Sequence, residues 1–351
     1  MSQREWQRLD EMPYTLGMPQ ATGIIRQQPE DFRVDEILGF EPDGEGEHWM
    51  LHLQKRGSNT VWVAKQLARL AGVPPRDTSY AGLKDRHAVT TQWFSVWLPG
   101  KDAPDWQQIN SDEIKLLAAI PHSRKLRRGT LQGNRFQLRV RQLNGDRAEL
   151  EARLNQIAKE GVPNYFGDQR FGHDYDNLTQ AGRLFRGELT RLSKHLRGLY
   201  LSATRSQLFN QLLAARISDG SWNKVLLGDQ MMLQESHSLF AVDEVDETIE
   251  QRVAALDCHP TGPMWGRGRV SSSQQVETLE NRVLAPFEEW RDGLEWKGLK
   301  QDRRPLRVKV SDLTWQFGDD DLQLTFSLPA GSYATMVLRE LLLVEVATDH
   351  E

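Results

Sequence analysis

The first hundred residues alternate apolar and polar positions in short runs, which is the pattern of half-buried β-strands. We predict strands over 32–37, 49–53, 78–81 and 92–97. A capping cluster at 58–60 precedes a different pattern, in which Val61, Leu67 and Leu70 recur at helical spacing. Gly72 and the prolines after it end this pattern, so we predict a helix between the cluster and the glycine.

The strand predicted over 134–142 has the clearest pattern in the chain. Phe136, Leu138 and Val140 alternate with arginines and a glutamine. Side chains two positions apart in a strand share a face. We therefore expect Asn134 and Phe136 to point to one side of the strand and the arginines to the other.

Helical spacing dominates the middle of the chain. We predict helices over 147–160, 177–186, 202–218, 246–256 and 272–291, a strand over 239–242, and linkers at 259–263 and 265–268. Strand patterns return at 306–310 and 322–328, on either side of an acidic turn, and a helix over 333–344 follows. The simplest arrangement is one mixed-sheet α/β domain that is built from both ends of the chain, with the middle inserted.

Composition places the chain among ordinary globular proteins. It has 351 residues, of which 38% are apolar, enough for about two domains. Its one cysteine, Cys258, excludes a disulfide framework and a Cys-based zinc module. The apolar run at 341–344 is too short to span a bilayer, and residues 1–12 lack the apolar core of a signal peptide. We therefore expect a soluble cytoplasmic protein without a membrane segment.

Charge is distributed unevenly along the chain. Lys and Arg number 44 against 49 Asp and Glu, which gives a net charge of −5. The basic residues nevertheless concentrate in three blocks, at 124–141, 183–205 and 297–309. Arginine suits phosphate groups, so three such blocks favour a polyanion as partner. The alternative for each block is a solvated face that pairs with acids from elsewhere in the fold.

Most catalytic motifs are absent from the sequence. It has no P-loop, no dinucleotide fingerprint, no nucleophile elbow and no histidine spacing typical of a metal site, so we expect no metal. One charged segment remains, in which Asp85 has Lys84, Arg86 and His87 as neighbours in a predicted loop. Nearby cations favour an ionised carboxylate, which could act as nucleophile or base near a polyanion. The alternative is a solvated charged turn.

Asn134 and Phe136 form a second candidate site. An aromatic ring can stack on a nucleic-acid base while an adjacent amide bonds the edge of that base. The alternatives are that Phe136 is a core residue, continuous with Leu138 and Val140, and that Asn134 belongs to a turn.

Six motifs occur in an order that resembles one protein family. They are PEDF at 29–32, GLKDRHAVT at 82–90, GNRF at 133–136, PNYFGDQRFG at 163–172, RSQLFN at 205–210 and LPAGSYAT at 328–335. Together they are similar to the TruD family of tRNA pseudouridine synthases, from about residue 20 to residue 342. The resemblance implies an isomerase that converts uridine to pseudouridine at uridine 13 of certain tRNAs. It implies tRNA as partner, no cofactor and no protein partner.

The same resemblance assigns roles to residues. Asp85 falls on the catalytic aspartate of the family. The residues expected to bind the substrate are Phe32, Asn134, Phe136, Tyr333, Arg26 and Lys84. Tyr333 stands where the family motif has phenylalanine, and Arg26 stands where it has lysine, which differs from arginine in geometry.

The resemblance also implies a fold and its domains. The expected fold is the catalytic α/β domain of pseudouridine synthases, a mixed sheet interrupted by a family-specific, helix-rich insert. We assign residues 1–159 and 306–351 to the catalytic domain and residues 160–305 to the inserted TRUD domain. This division agrees with the strand–helix–strand order of the predicted elements.

The implied reaction requires the target base to leave its stack and enter a pocket. Asp85 would then act on the sugar, either by adding to C1′ or by removing a proton from C2′, with Lys84 or Arg26 as the cation that keeps it ionised. Two other functions stay open. One is a non-catalytic RNA-binding protein with the same charged surface. The other is a hydrolase of N-glycosidic bonds, which would need a second carboxylate such as Glu30 or Asp31.

Overall fold

The structure is a computed structural model that describes residues 6–127 and 129–346. Its contacts divide the chain into two compact units, each assembled from three segments. The sheet unit comprises Gln20–Leu150, Val310–Gly331 and Leu342–Glu351, and the helical unit comprises Met1–Pro19, Glu151–Lys309 and Ser332–Leu341. Some predictions fall partly outside the described residues: those on residues 1–5 of the polar N-terminus, on Arg128 of the first basic block, and on 347–351 of the catalytic domain.

The elements follow one another in chain order. The strands are β1 (Thr22–Ile25), β2 (Phe32–Leu38), β3 (His48–Arg56), β4 (Thr78–Tyr80), β5 (Val89–Trp97), β6 (Ile114–His122), β7 (Leu131–Asn144), β8 (Val162–Pro163), β9 (Gln230–Leu233), β10 (Leu239–Ala241), β11 (Cys258–Met264), β12 (Asp302–Pro305), β13 (Arg307–Val308), β14 (Ser311–Phe317), β15 (Leu322–Pro329) and β16 (Leu343–Val346). The helices are α1 (Thr60–Leu70), α2 (Arg147–Glu160), α3 (Asp176–Phe185), α4 (Lys194–Ser218), α5 (Glu247–Ala254), α6 (Gln274–Leu284), α7 (Glu288–Trp296) and α8 (Ala334–Leu341).

The sheet unit is built on one mixed β-sheet. Its main path runs β14-β15-β7-β2-β5-β3-β6, while β4 pairs with β5, and β1 pairs with both β7 and β16. The pairs β2–β5 and β1–β16 are parallel, whereas β7 is antiparallel to its neighbours. Strands from before the helical middle therefore pair with strands from after it.

The register of β7 is set by a neighbour on each side. Val34 of β2 and Phe326 of β15 lie opposite Phe136. Every second residue from Phe136 to Val140 is buried, and the residues between them are more exposed. The predicted alternation is confirmed, and Asn134 lies on the same face as Phe136 because no bulge separates them.

The helix predicted after the capping cluster is α1. Asn59 is its N-cap, with a side-chain oxygen that accepts a hydrogen bond from the backbone of the first turn. Leu67 packs in one apolar cluster with Phe94 of β5. The hydroxyl of Thr60, the first helical residue, accepts a hydrogen bond of 3.1 Å from the backbone N–H of Lys84. The start of α1 thus holds the loop that carries Asp85.

In the helical unit, α4 packs against β11, a strand of a sheet of order β10-β9-β11-β12. The linker predicted at 259–263 is wrong, since these residues form the buried interior of β11. A Cβ on Gly262 would lie only 3.0 Å from Leu212 of α4. The glycine therefore allows close packing of helix and strand here, whereas the sequence rule takes it for a loop signal.

Several predicted boundaries also differ. The helix predicted over 333–344 ends at Leu341, because Leu343 begins β16 and donates a backbone hydrogen bond of 2.8 Å to Ala21. The helix predicted over 272–291 is divided into α6 and α7 near Pro286, which cannot donate to the helical ladder. The predicted strand at 306–310 shortens to β13, and β1, β6 and β14 were not predicted.

Other predicted elements are present close to their predicted bounds, including α2, α3, α5 and the strands β2, β4 and β15. The turn at 318–321 joins β14 to β15 as the acidic residues there indicated. Across the part of the chain that the structure describes, no helix is both long and apolar enough to span a membrane.

Candidate active site

Asp85 lies in the loop between β4 and β5 of the sheet unit. Its carboxylate Oδ2 accepts a hydrogen bond of 2.8 Å from Nη2 of Arg26, and the side chain is 38% exposed. Of the two cations that the sequence left open, Arg26 forms this ion pair. The carboxylate therefore has a fixed cationic partner and remains accessible, which the chemistry of a nucleophile or base requires.

Lys84 makes a different ion pair, although it is the neighbour of Asp85 in sequence. Its Nζ lies 3.0 Å from Oε1 of Glu36 and 2.5 Å from Oδ1 of Asn134. The side chains of Lys84 and Glu36 are both buried. Burial raises the pKa of Glu36, and the Lys84 ammonium opposes that shift. Lys84 thus joins the Asp85 loop to Asn134 of β7.

The contact with Lys84 determines how the Asn134 amide is oriented. An ammonium group only donates hydrogen bonds, so the amide must turn its oxygen toward Lys84. The amide nitrogen then has no acceptor among the described residues. Asn134 therefore offers a hydrogen-bond donor to any group that approaches it.

Lys55 of β3 also binds the loop that carries Asp85. Its Nζ donates to the backbone oxygens of Asp85 at 3.0 Å and Ser58 at 2.8 Å. Burial lowers the pKa of Lys55 to about 8, and the Asp85 carboxylate opposes this shift. Lys55 therefore holds the Asp85 loop and the start of α1 at fixed positions.

The two predicted aromatic residues pack close together. The ring of Phe32 is 2% exposed, and the Arg26 guanidinium lies 4.1 Å above its centre. Phe136 is also buried, edge-on to Phe32 at 6.3 Å and stacked on Phe326 at 5.4 Å. Both rings are thus part of the packed interior in this structure, and their contact with a base stays a prediction.

Glu30 and Asp31, the carboxylates that a hydrolase would need, each form an ion pair with an arginine. Asp31 is buried and accepts from Nε and Nη2 of Arg141, with distances of 2.8 to 3.0 Å. Glu30 accepts from Nε of Arg56 at 2.7 Å. The buried pair with Arg141 gives Asp31 a structural role, because removing one partner from such a pair is strongly destabilising.

Tyr333 lies in the helical unit, immediately before α8. Its hydroxyl accepts a hydrogen bond of 2.9 Å from Nη2 of Arg170, and its ring is edge-on to Phe166 at 6.3 Å. The hydroxyl of Tyr333 therefore has a hydrogen-bond partner, as a buried or half-buried tyrosine hydroxyl requires. Arg170 and Phe166 both belong to the sequence motif at 163–172.

Sequence analysis missed Glu36 and Lys55, although a signal for each exists. Glu36 shares strand parity with Phe32 and Val34, which are buried, and Lys55 shares it with Leu53. A charged residue at an apolar position of a strand is costly to bury without a partner. Such a residue is therefore a marker for a polar network, even without any motif.

The three basic blocks are divided between structural pairs and free surface. In the first block, Arg139 pairs with Asp321 and Arg141 with Asp31. In the third, Arg303 forms a buried pair with Glu280. These arginines follow the alternative interpretation, in which a basic block pairs with acids of the fold. In the described chain, no three His, Cys, Asp or Glu side chains come together as a metal ion would require.

The chain matches the sequence model of one protein family over most of its length. The model describes tRNA pseudouridine synthase D (TruD), and it matches residues 8–184 and 174–341. The chain belongs to this family. The reaction of the family is the isomerisation of uridine to pseudouridine. The resemblance that the six motifs indicated is therefore confirmed.

Individual relatives agree with the family match. The tRNA pseudouridine synthase D of Methylococcus capsulatus is 53% identical over 333 residues, which cover 95% of this chain and 94% of that protein. The Aeromonas hydrophila protein of the same name is 48% identical over 343 residues, 97% of this chain and 96% of that one. These relatives span nearly the same length as this chain.

A solved structure supports the fold. It is described as tRNA pseudouridine synthase D from Methanosarcina mazei, and it superimposes with a TM-score of 0.69 over 94% of this chain and 95% of that one. The two sequences are 23% identical. The predicted mixed-sheet α/β fold is thereby confirmed.

Proposed function

We propose that this protein isomerises uridine to pseudouridine in tRNA, at uridine 13, and that Asp85 is its catalytic residue. The observation that carries the proposal is the accessible Asp85 carboxylate, ion-paired with Arg26 at 2.8 Å and joined through Lys84 to Asn134. A sugar-directed carboxylate and a base-directed amide thus lie in one part of the sheet unit.

The proposed reaction is balanced without a cofactor. The N1–C1′ bond breaks, the uracil ring turns, a C5–C1′ bond forms, C5 loses a proton and N1 gains one. The product is an isomer of the substrate, so no electrons enter or leave. Asp85 starts the reaction by one of two routes: it adds to C1′, and formation of the C5–C1′ bond later breaks the resulting ester, or it takes a proton from C2′ that is later returned to C2′.

Base flipping is the access route that we propose, because the sugar and the ring must separate while the base stays bound. Extrusion of the base costs a few kcal/mol. Aromatic stacking, at about 1–3 kcal/mol per base, can offset that cost. The candidates for this contact are Phe32, Phe136 and Tyr333.

A base that stacks on the face of Phe32 now covered by Arg26 has to displace the guanidinium. Because Arg26 also pairs with Asp85, the same movement removes the partner from the carboxylate. Binding of the base and release of the Asp85 carboxylate from Arg26 are thereby coupled in the proposed site.

Asn134 accounts for the choice of uracil in this proposal. With its oxygen bound to Lys84, the amide presents N–H donors, which suit a uracil carbonyl oxygen. At position 4, cytosine has an amino group where uracil has an oxygen, so two donors would face each other there. Desolvation without a partner costs about 1–3 kcal/mol, which is enough to reject cytosine.

The test of the proposed function is Asp85→Asn. The amide keeps the size of the side chain and an oxygen for Arg26, so we expect tRNA binding to persist. Pseudouridine formation should fall by at least about 1,000-fold. Purified protein is incubated with unmodified tRNA and no added cofactor, and pseudouridine is mapped to its position by mass spectrometry.

Asp112→Asn, which replaces an exposed aspartate of the same unit, is the matched control and should keep full activity. Turnover by Asp85→Asn close to that of the control would refute the role of Asp85. Wild-type protein that binds tRNA without modifying it would support the RNA-binding alternative, and free uracil would support the hydrolase. Pseudouridine at another position of the tRNA would refute only the assignment to uridine 13 and would leave the proposed reaction standing.

The domain assignment also enters as a proposal. We propose that residues 1–159 and 306–351 form the catalytic domain and that residues 160–305 form the inserted domain. By contact, four segments of the proposed catalytic domain group instead with the helical unit: Met1–Pro19, 151–159, 306–309 and Ser332–Leu341. We also propose the cytoplasm as its location, because tRNA is modified there.

A further inference from the structure

Trp296 is an exposed tryptophan at the end of α7 in the helical unit. The residue is 72% exposed, more than any other large hydrophobic residue in the described part of the chain. Neighbouring aromatic residues such as Trp265 and Trp290 are buried or partly buried in the apolar cluster beneath α7. The Trp296 ring therefore does not belong to the core. A single exposed ring is common on protein surfaces, so it is the charged groups around the ring that indicate a ligand.

Cationic residues lie close to Trp296 and to the turn that carries it. The Lys297 ammonium lies 4.2 Å from the centre of the Trp296 ring. The Arg267 guanidinium donates to the backbone oxygens of Trp296, at 3.4 Å, and of Glu295. Arg267 is in turn bridged by its backbone to Lys300. The side chains of Lys297 and Arg267 thus contact the turn at the end of α7, and the backbone of Lys300 pairs with that of Arg267.

A fourth cation comes from a distant part of the sequence. Partial burial lowers the pKa of Lys297, and the charge of Arg197, in the exposed first turns of α4, lowers it further. On the same helix, Arg205 donates to the backbone oxygen of Lys300 at 3.0 Å. The second and third basic blocks of the sequence therefore meet at this place.

These cations are not neutralised within the fold. Arg197, Arg267, Lys297 and Lys300 form no ion pair with a carboxylate in residues 6–127 and 129–346. The nearest acid in sequence, Glu295, accepts a hydrogen bond from the indole of Trp265 at 2.9 Å. By contrast, the arginines at the start of the second block, Arg183 and Arg186, are both paired with Glu188.

We propose that Trp296 and these four cations form a second RNA-binding surface, on which an unpaired base of the tRNA stacks while its flanking phosphates contact the cations. This proposal rests on tRNA as the substrate of the proposed function. An indole offers a flat face to any nucleobase, and lysine and arginine bind the backbone without regard to sequence. Trp296 and its cations are named here the tryptophan platform.

The chemistry of the tryptophan platform selects for an unpaired nucleotide. In a double-stranded A-form stem the base faces are stacked on each other, so none is available to an indole. Loop nucleotides and unpaired ends expose their faces. We therefore infer that the tryptophan platform contacts a tRNA loop or end and not a stem, whereas its cations bind phosphates in both.

The test measures affinity for unmodified tRNA and for a blunt RNA duplex of equal charge, at several salt concentrations. For Trp296→Ala we expect tRNA affinity to fall about 5- to 100-fold, as for the loss of one stacked base. Duplex affinity and the slope of log K against log salt should not change. The double variant K297A/K300A should weaken both RNAs and lower the magnitude of the slope by about 1 per lost phosphate contact.

Trp97→Ala is the matched control, because Trp97 is also exposed but donates its indole N–H to Glu47 in an acidic setting. It should leave both affinities unchanged. Trp296→Phe retains a ring and should recover most of the lost affinity. Since Trp296 makes little packing contact, the thermal midpoint of Trp296→Ala should stay at that of wild type.

Two results would overturn the proposal: equal tRNA affinity of Trp296→Ala and wild type, or an equal loss of affinity for tRNA and duplex. A parallel pseudouridine assay on wild-type protein separates this outcome from failure of the proposed function. Wild-type protein that binds tRNA without modifying it would refute the function, and the tryptophan platform would still be tested by affinity. Wild-type protein that does not bind tRNA would refute both.

Discussion

Asn134, Lys84 and Glu36 form a chain of contacts in which each group fixes the next. Glu36 also accepts a hydrogen bond of 2.9 Å from the backbone of Trp93, so its carboxylate is held at both oxygens. Lys84 is thereby positioned by a buried anion, and Asn134 is oriented by a buried cation. A single amide on a strand gains a defined donor direction from this arrangement.

Asn134→Asp tests that direction. An aspartate keeps the contact with Lys84 and gains an ion pair, so we expect the protein to fold. It offers only acceptors to the base, and an acceptor would face the uracil carbonyl. We expect kcat/KM on tRNA to fall about 5- to 150-fold, the equivalent of about 1–3 kcal/mol. Steady-state assays at several tRNA concentrations measure this ratio.

Asn155→Asp makes the same chemical change at an exposed position of α2 and is the control. Its kcat/KM should equal that of wild type. Equal kcat/KM for Asn134→Asp would contradict a donor role of the amide.

Features that depend on the spacing of residues along one strand were predictable from the sequence. Features that depend on which side chains pair across strands were not. The shared face of Asn134 and Phe136 follows from strand parity and is confirmed. Asp85 pairs with Arg26 and not with Lys84, because Glu36 of β2 binds Lys84. Glu36 is distant from Lys84 in sequence, so the local pattern around Asp85 could not predict this pairing.

At the element scale, the pairing of β7 with β15 leaves no room for a side chain at Gly133. A Cβ on this glycine would lie 2.4 Å from the backbone oxygen of Leu328. A backbone atom in a paired strand cannot move aside as a flexible side chain can. Gly133 is therefore required by the spacing of the two strands, one residue before Asn134.

Gly133→Ala should therefore destabilise the protein, by about 1–3 kcal/mol as for other overpacked sites. Urea unfolding followed by circular dichroism measures the change. Gly198→Ala is the control, because Gly198 lies in α4 with open space around its Cα. Alanine favours helix, so the control should be as stable as wild type or more stable, by up to about 1 kcal/mol. A Gly133→Ala variant as stable as this control would contradict the close approach.

Elements with one clear apolar face were predictable, and elements without one were not. β2, β7 and α1 have strict spacing and were found. The first turns of α4 are exposed on all sides, so they carry no amphipathic signal. β11 is buried and rich in proline and glycine, which the sequence rules assign to loops.

At the scale of the whole molecule, net charge and local charge have different consequences. The chain has a net charge of −5, but the four cations of the proposed tryptophan platform form no ion pair with a carboxylate of the described residues. The sequence located the three basic blocks correctly. It could not show which arginines pair inside the fold, because Asp31, Glu280 and Asp321 come from distant segments.

The buried ammonium of Lys55 makes the stability of the whole protein depend on pH. Its pKa is about 8 in the folded protein and 10.5 ordinarily. Between these values the unfolded chain binds more protons at this site, so the contribution of Lys55 to the unfolding free energy rises with pH. Relative to Lys55→Met, wild type should gain about 3 kcal/mol between pH 7.5 and pH 10.5.

Urea titrations of the two proteins at several pH values measure this difference. Lys65→Met replaces an exposed lysine of α1 and is the control. Its difference from wild type should stay constant with pH. A constant difference for Lys55→Met as well would show that Lys55 is not buried as a charged group.

The order of strands in the main sheet affects synthesis on the ribosome. β7 ends at Asn144 and its partner β15 begins at Leu322, so the entire helical middle is translated between them. At about 5–20 residues per second, this takes on the order of 10–35 s. During that time the nascent chain presents one side of β7 with its hydrogen-bonding groups open, which is a template for aggregation. The exposed arginine and glutamine side chains of β7 make this open edge charged and polar, which opposes aggregation until β15 is synthesised.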